Sequence, residues 1–281
     1  MPCLLIFGLG YVGQHIGRTL LTKGWRVVGT TRTLSQAQRL KNQGFETVVW
    51  DGLTPYPHEL LEGITHILIT IPPDESGDIV LRYIDFATLA LKWVGYLSAT
   101  SVYGDHQGAW VQEDSPLNPV SPRGHHRLLA ETQWLACKAV HPYFPIHIFR
   151  LSGIYGPGRS VLDSIRSGVV QRVDKPGHVF SRIHIEDIIQ VVMASINHIQ
   201  PGEIYNLADD QPAATADVIA FGCNMLGVEV PALVPFEKAA LSESLREFYA
   251  EQKRVDNHKI KESLGVRLIY PTYREGLAHG C

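Results

Sequence analysis

The stretch "CLLIFGLGYVG", residues 3–13, constrains this chain more than any other. Five apolar residues in a row (3–7) suit a strand buried on both faces, as in a parallel sheet covered by helices on each side. Gly8, Gly10 and Gly13 follow at once in GxGxxG spacing, and Val12, Ile16 and Leu20 then recur at helical intervals. Glycines between a first strand and a first helix make a tight turn whose backbone can approach a pyrophosphate. The phosphate charge then meets free N–H groups at the helix start. A glycine-rich turn without a ligand is the alternative; the position straight after the first strand favours a dinucleotide held by Gly8, Gly10, Tyr11, Val12 and Gly13.

The end of the second strand, "RVVGT" (26–30), bears on which dinucleotide. An acidic residue there would hold a ribose 2′-hydroxyl and repel a phosphate, but the chain offers Thr30, Thr31 and Arg32. Arg32 can donate a forked pair of hydrogen bonds to a 2′-phosphate, with help from the threonine hydroxyls, so NADP is favoured over NAD. Asp51, after the third strand, either accepts from an adenine amino group or simply opens the "DGL" turn. Ile71 and Pro72, in "IPP" (71–73), place tightly turned backbone beside the cofactor.

Strands and helices keep alternating through the first half: "ETVVW" (46–50), "HILITI" (66–71) and "KWVGYL" (92–97) read as strands three to five. Ser35 starts a short helix that Gly44 closes, and Ile79, Tyr83, Phe86 and Ala90 mark another over about 78–91. A polar loop runs to about residue 120. Ser121 and Pro122 form an N-cap and N1 pair opening a helix with Leu128, Thr132, Leu135 and Ala139 on its core face. "PIHIFRL" (145–151) and "GEIYNLA" (202–208) are strands six and seven. The expected fold is α/β, a doubly wound parallel sheet of about seven strands with a small C-terminal lobe. Residues 1–152 plus about 181–208 would form the nucleotide-binding domain, and about 153–180 with 209–281 the substrate lobe.

Charge and cysteine usage narrow the partners. Lys and Arg total 25 against 28 Asp and Glu, a net charge of −3, which gives no broad attraction to nucleic acid or anionic lipid. Cys3, Cys137, Cys223 and Cys281 are scattered without a CxxC pair, and no histidines stand in a HExxH-type pattern. Neither a disulfide framework nor a metal site is expected. No apolar run approaches the roughly 18 residues needed to span a bilayer, and the N-terminus lacks the flanks of a secretory signal. A cytoplasmic protein acting on a small molecule is the expectation.

In order along the chain, "FGLGYVG", "LSATSVYGDHQG" (97–108), "EDSPLNPVSPRG" (113–124), "RLSGIYGPGR" (150–159), "RIHIEDI" (182–188), "IYNLADDQP" (204–212) and "LGVRLIYPTYREGL" (264–277) resemble the extended short-chain dehydrogenase/reductases. The likeness is to the NAD-dependent epimerase/dehydratase family and its atypical YeeZ-like branch. It implies a seven-stranded Rossmann domain, a C-terminal lobe over the substrate, and frequently a homodimer built on two long helices, here about 78–91 and 121–138. It also implies a Ser or Thr, a Tyr that exchanges a proton while hydride moves at a nicotinamide, and a Lys four residues on that lowers the tyrosine pKa.

At those positions this chain departs from the pattern. The serine position falls on Ala99, with Thr100 and Ser101 beside it; the tyrosine position falls on Arg123 and the lysine position on Arg127; the first cradle glycine falls on Phe7. An arginine stays protonated near neutrality, so Arg123 cannot act as acid and base in turn. In one reading hydride transfer persists, with Arg123 polarising the substrate oxygen, Arg127 holding the ribose, and the proton coming from Tyr103, His125, His126 or water. In a second the chain binds NADP(H) without catalysis, as a regulatory or scaffold protein. In a third the arginines are structural, Arg127 pairing with Glu131 at i+4. By the same resemblance Arg159 and Arg182 would contact a nucleotide-sugar diphosphate or other anion, and Leu151 and Ser152 would lie near the nicotinamide. His184 and Asp187 would tie the two lobes.

Overall fold

A computed structural model describes residues 1–281, the side chains of Ala87 and Ser244 apart. Seven strands form one sheet: β1 Cys3–Phe7, β2 Arg26–Thr31, β3 Glu46–Val49, β4 His66–Ile69, β5 Trp93–Ala99, β6 Ile146–Leu151 and β7 Ile204–Leu207. Their order is β7-β6-β5-β4-β1-β2-β3. β1 pairs in parallel with β2 and β4, β2 with β3, and β4 with β5. The strand order switches direction at β1, the doubly wound α/β arrangement that the alternation predicts. Every residue of β1, β4 and β6 is buried, which is why these strands read as continuous apolar runs.

The main helices are α1 Tyr11–Thr22, α2 Leu34–Lys41, α3 Pro122–Val140, α4 Val161–Arg166, α5 Ile185–Asn197 and α6 Thr215–Leu226. Gly24 and Gly44 adopt φ +77° and +89° just past α1 and α2, the left-handed stops expected there. α2 starts earlier than Ser35 suggests: the Thr33 hydroxyl accepts from the Gln36 amide and serves as its N-cap. Ser121 caps α3 as expected, its hydroxyl accepting from the Gly124 amide at 3.2 Å.

Two expectations fail. Residues 78–91 form turns and a short 3₁₀ segment, Phe86–Thr88, not an α-helix. The Asp78 carboxylate accepts from the amides of Val80 (2.7 Å) and Leu81 (3.4 Å) and from the Trp134 indole (2.9 Å), so its local bonds compete with helical ones. Of the two long helices that the resemblance offers for a homodimer, only α3 forms. The buried face of α3 is also displaced, to Ala130, Glu131 and Trp134, while Thr132 and Ala139 are exposed.

The chain divides into two compact units. The first comprises Met1–Ala99, His125–Arg150 and Val192–Ile204, and its core includes Phe7, Trp50, Tyr56, Tyr96, Trp134 and Phe144. The second comprises Thr100–Gly124, Leu151–Val191 and Tyr205–Cys281, with apolar clusters around Tyr155, Leu162 and Tyr273 and around Val173, Phe180 and Tyr249. Within the second unit the loop after residue 104 is pinned: Trp110–Val111 pairs in parallel with Arg254–Val255. Asp187 accepts from the amides of Ile269 and Tyr270 there, so it anchors the C-terminal segment to α5. No helix of the described residues is long and apolar enough to cross a membrane, and among those residues no three His, Cys, Asp or Glu gather as a metal site.

Candidate functional site

In the first unit the glycine cradle joins β1 to α1. Gly8, at φ +99°, donates its amide to Thr30 Oγ1 at 2.9 Å, and the Thr70 hydroxyl donates to the Gly8 carbonyl at 2.6 Å. Thr30 is buried at 2% exposure, so its hydroxyl braces the turn instead of reaching a ligand. A Cβ on Gly13 would lie 2.5 Å from the Gly8 carbonyl oxygen, so the helix packs on the turn only with glycine there. A Cβ on Gly10 would meet nothing within 4 Å. Gly10 is the N-cap of α1 and supplies no side-chain acceptor to the first turn, and the space over it is open. Tyr11 is half-buried and Val12 buried on that first turn.

Around the cradle, the Thr31 hydroxyl donates to Gln36 Oε1 at 2.5 Å, and Arg32 is exposed at the end of β2. Asp51 is exposed and accepts from the Leu53 amide at 2.9 Å, the bond of a turn-opening aspartate. The Ile71 amide donates to the Phe7 carbonyl and Pro72 is exposed beyond it. Phe7 replaces a cradle glycine because its ring enters the core, edge-on to Trp50 (5.4 Å) and Tyr56 (5.3 Å).

The α3 arginines differ in their surroundings. Arg123 is exposed, as is His125, while His126 is half-buried. Arg127 donates from Nη1 to the Leu97 carbonyl at 2.7 Å, which fixes its guanidinium against β5. The expected Arg127–Glu131 pair does not form. Glu131 is 1% exposed and accepts from Arg150 Nη2 at 2.8 Å, and Ser98 Oγ donates to its Oε1 at 2.5 Å. A surface pair would leave a carboxylate in water, whereas this one is buried with its charge and lone pairs answered by β5 and β6.

In the second unit Thr100, Ser101, Val102 and Tyr103 form a 3₁₀ turn directly after β5, with Thr100 and Ser101 half-buried. A Cβ on Gly124 would lie 2.8 Å from the Ser101 carbonyl, so this turn needs the glycine of "SPRG". Tyr103 is fully buried and donates its hydroxyl to Asn206 Oδ1 at 2.7 Å; the Asn206 amide donates to Glu113 at 2.7 Å. Arg182 donates to the carbonyls of Phe180 and Ala213 (2.9 Å each) and to Thr215 Oγ1. Burial lowers its pKa and the Asp209 carboxyl opposes that shift. Its donors therefore hold backbone together, whereas Arg159 is exposed. Leu151 is buried at the end of β6.

Sequence reasoning passed over Asn206 and Asp209, although both lie in a motif it quoted. Asp209 is 1% exposed, and burial pushes its carboxyl up to about 8 against the opposing Arg182 charge. Asp209 Oδ2, Asn206 Nδ2 and Ser152 Oγ are buried without a hydrogen-bond partner among the described residues. Ser152 and Asp209 follow the ends of β6 and β7, and Asn206 lies within β7. Carboxyl ends of strands are where open α/β sheets take ligands.

Comparison with known proteins agrees with the sheet. The model of the NAD dependent epimerase/dehydratase family matches residues 79–208. A solved structure of a conserved protein of unknown function from Silicibacter pomeroyi is 46% identical, with a TM-score of 0.90, covering 99% of this chain and 97% of that one. The chain belongs to the NAD dependent epimerase/dehydratase family. Another member-like relative is Protein YeeZ of Escherichia coli K12, 28% identical over 96% of this chain and 97% of its own length. UDP-glucuronic acid 4-epimerase from Bacillus cereus, solved with UDP-glucuronic acid and NAD, shares the epimerase/dehydratase fold at a TM-score of 0.78. It is 20% identical and is covered over 97% of its length, against 99% of this chain.

Proposed function

We propose that this chain binds NADP(H), in preference to NAD(H), at Gly8, Gly10, Tyr11, Val12 and Gly13, and serves as an oxidoreductase or epimerase-like protein. Its substrate would be small, polar and anionic, of the nucleotide-sugar kind. The observation that carries this reading is the open space over Gly10 at the start of α1, beside a turn in which Gly13 admits no side chain. Arg32, exposed past β2 with no acidic neighbour in "TTR", would bind the 2′-phosphate. Asp51, Ile71, Pro72 and Leu151 complete the expected cofactor contacts.

When bound, the nicotinamide would supply hydride chemistry. Arg127, held at the Leu97 carbonyl, presents a fixed positive charge in place of the family's lysine. Arg123 offers a permanent cation to a substrate oxygen and cannot itself return a proton. Thr100 and Ser101 supply hydroxyls beside Ala99. Arg159 remains the candidate anion contact, and Arg182 would act on substrate indirectly by fixing Phe180 and Ala213. The unpaired polar atoms of Ser152, Asn206 and Asp209 support a polar ligand at the strand ends. A second reading, an NADP(H)-binding protein without turnover, is favoured by Tyr103, whose hydroxyl is fully buried and committed to Asn206.

Titration calorimetry with NADP(H) and NAD(H), followed by nicotinamide absorbance across a panel of nucleotide sugars and small carbonyls, separates these. An absorbance change supports the enzyme. Saturable binding with none across the panel supports the silent protein, and the Ala99→Ser, Arg123→Tyr, Arg127→Lys triple variant should then gain hydride transfer if only the proton machinery is missing.

A further inference from the structure

Hydride chemistry needs a group that gives and retakes a proton, and Arg123 cannot be that group. The Tyr103 hydroxyl is buried and committed to Asn206, and His125 is exposed. His126 differs from both. It is half-buried and stands seven residues before Gln133 in α3, so the two share one face of the helix about 10 Å apart along its axis. Gln133 fixes where that face looks. Its Nε2 donates to the Ser76 carbonyl at 2.9 Å, and its Oε1 accepts from the Asp78 amide at 2.8 Å. One face of α3 therefore runs along the loop that follows β4, with Gln133 against the loop's end.

His126 lies against the earlier part of the same loop. The Asp74 carboxyl is held low first by the bond that it accepts from Arg82, at 2.6 Å, and at longer range by the charge of His126. That loop leaves directly from the glycine cradle. The Thr70 hydroxyl donates to the Gly8 carbonyl at 2.6 Å, and the Ile71 amide donates to the Phe7 carbonyl at 3.2 Å. It is also locally fixed, since Asp74 and Gly77 exchange backbone bonds of 3.0 Å and Asp74 Oδ1 accepts from the Ser76 amide at 2.8 Å. A short, pinned segment thus joins the turn that would hold the dinucleotide to the face of α3 that carries an imidazole. All of these residues belong to the first compact unit.

We propose that His126 exchanges the proton with the substrate oxygen, a role that rests on the dinucleotide binding proposed above. When a secondary alcohol is oxidised, the C–H electron pair leaves carbon as hydride for the bound nicotinamide. The O–H bond breaks, its proton goes to the imidazole, and its electron pair closes the C=O bond; reduction reverses each step. A single imidazole serves both directions. The test reads the ring and needs no substrate. The full chain is titrated by NMR from about pH 5 to about 8 in saturating NADP+ and in saturating NADPH, with the His126 resonance assigned by its loss in His126→Asn. The two complexes differ by the positive charge of the oxidised nicotinamide, whereas Asp74 and Arg82 on the loop and Arg123 and Arg127 on α3 are the same in both. A ring placed for proton exchange lies within about 10 Å of that charge, so its midpoint should be about one pH unit lower in NADP+ than in NADPH, roughly tenfold in proton affinity. Equal midpoints in the two complexes, or an equal fall at the adjacent His125, overturn the proposal and leave the cofactor reading standing. No saturable binding of either dinucleotide overturns both.

Discussion

Glu131 decides how charge is arranged beneath α3. It takes a bidentate set of bonds from Arg150 and one from Ser98, and both charged side chains are 2% exposed. Removing one partner leaves the other charge buried and unpaired, which costs about 3–5 kcal/mol. Glu131→Gln should lower unfolding free energy in denaturant by that amount, while Glu131→Leu with Arg150→Met should recover most of it. The sequence could not reveal this pair. A glutamate four residues after an arginine reads as a surface pair, and Arg150 lies on a strand nineteen positions away whose side-chain direction only the sheet fixes. Asp209 gives a second residue-scale test. Its carboxyl, pushed up to about 8, titrates near 3.9 in an unfolded chain, so the folded protein keeps that proton through the window between. Its stabilising contribution is therefore complete below about pH 4 and is lost as pH rises through about 8. Denaturant midpoints measured from about pH 5 to about 9 should fall more steeply in the wild type than in Asp209→Asn.

Among the elements, the cradle separates folding from binding within six residues. Gly13→Ala places a methyl 2.5 Å from the Gly8 carbonyl and should lower the melting temperature as well as cofactor affinity. Gly10→Ala meets nothing within 4 Å and should keep the wild-type melting temperature while weakening NADP(H) binding at least tenfold, read by thermal unfolding and calorimetry side by side. The strands and α1 were legible because buried parallel strands announce themselves as apolar runs and glycines mark the turns. The segment 78–91 was not. Its apolar spacing imitates a helix, but Asp78 binds the following amides and the Trp134 indole instead. The face of α3 was misplaced for a related reason: periodicity assigns a glutamate to solvent, and here Glu131 belongs to the core.

For the whole molecule, a doubly wound parallel sheet of about seven strands follows from alternation and the early glycine turn, and the observed sheet agrees. The residues that would distinguish turnover from silent binding are harder to read, because their state depends on partners distant in sequence. Tyr103 meets Asn206 across 103 positions, and Arg127 meets Leu97 across 30. The central claim is that the open turn at Gly10 receives a dinucleotide whose 2′-phosphate is met by Arg32. Calorimetric titration of the wild type and Arg32→Ala with NADP(H) and NAD(H) tests it most directly. Saturable wild-type binding of NADP(H), tighter than NAD(H) and reduced at least tenfold in Arg32→Ala with NAD(H) affinity unchanged, is the predicted result; no saturable binding of either dinucleotide to the wild type would contradict it.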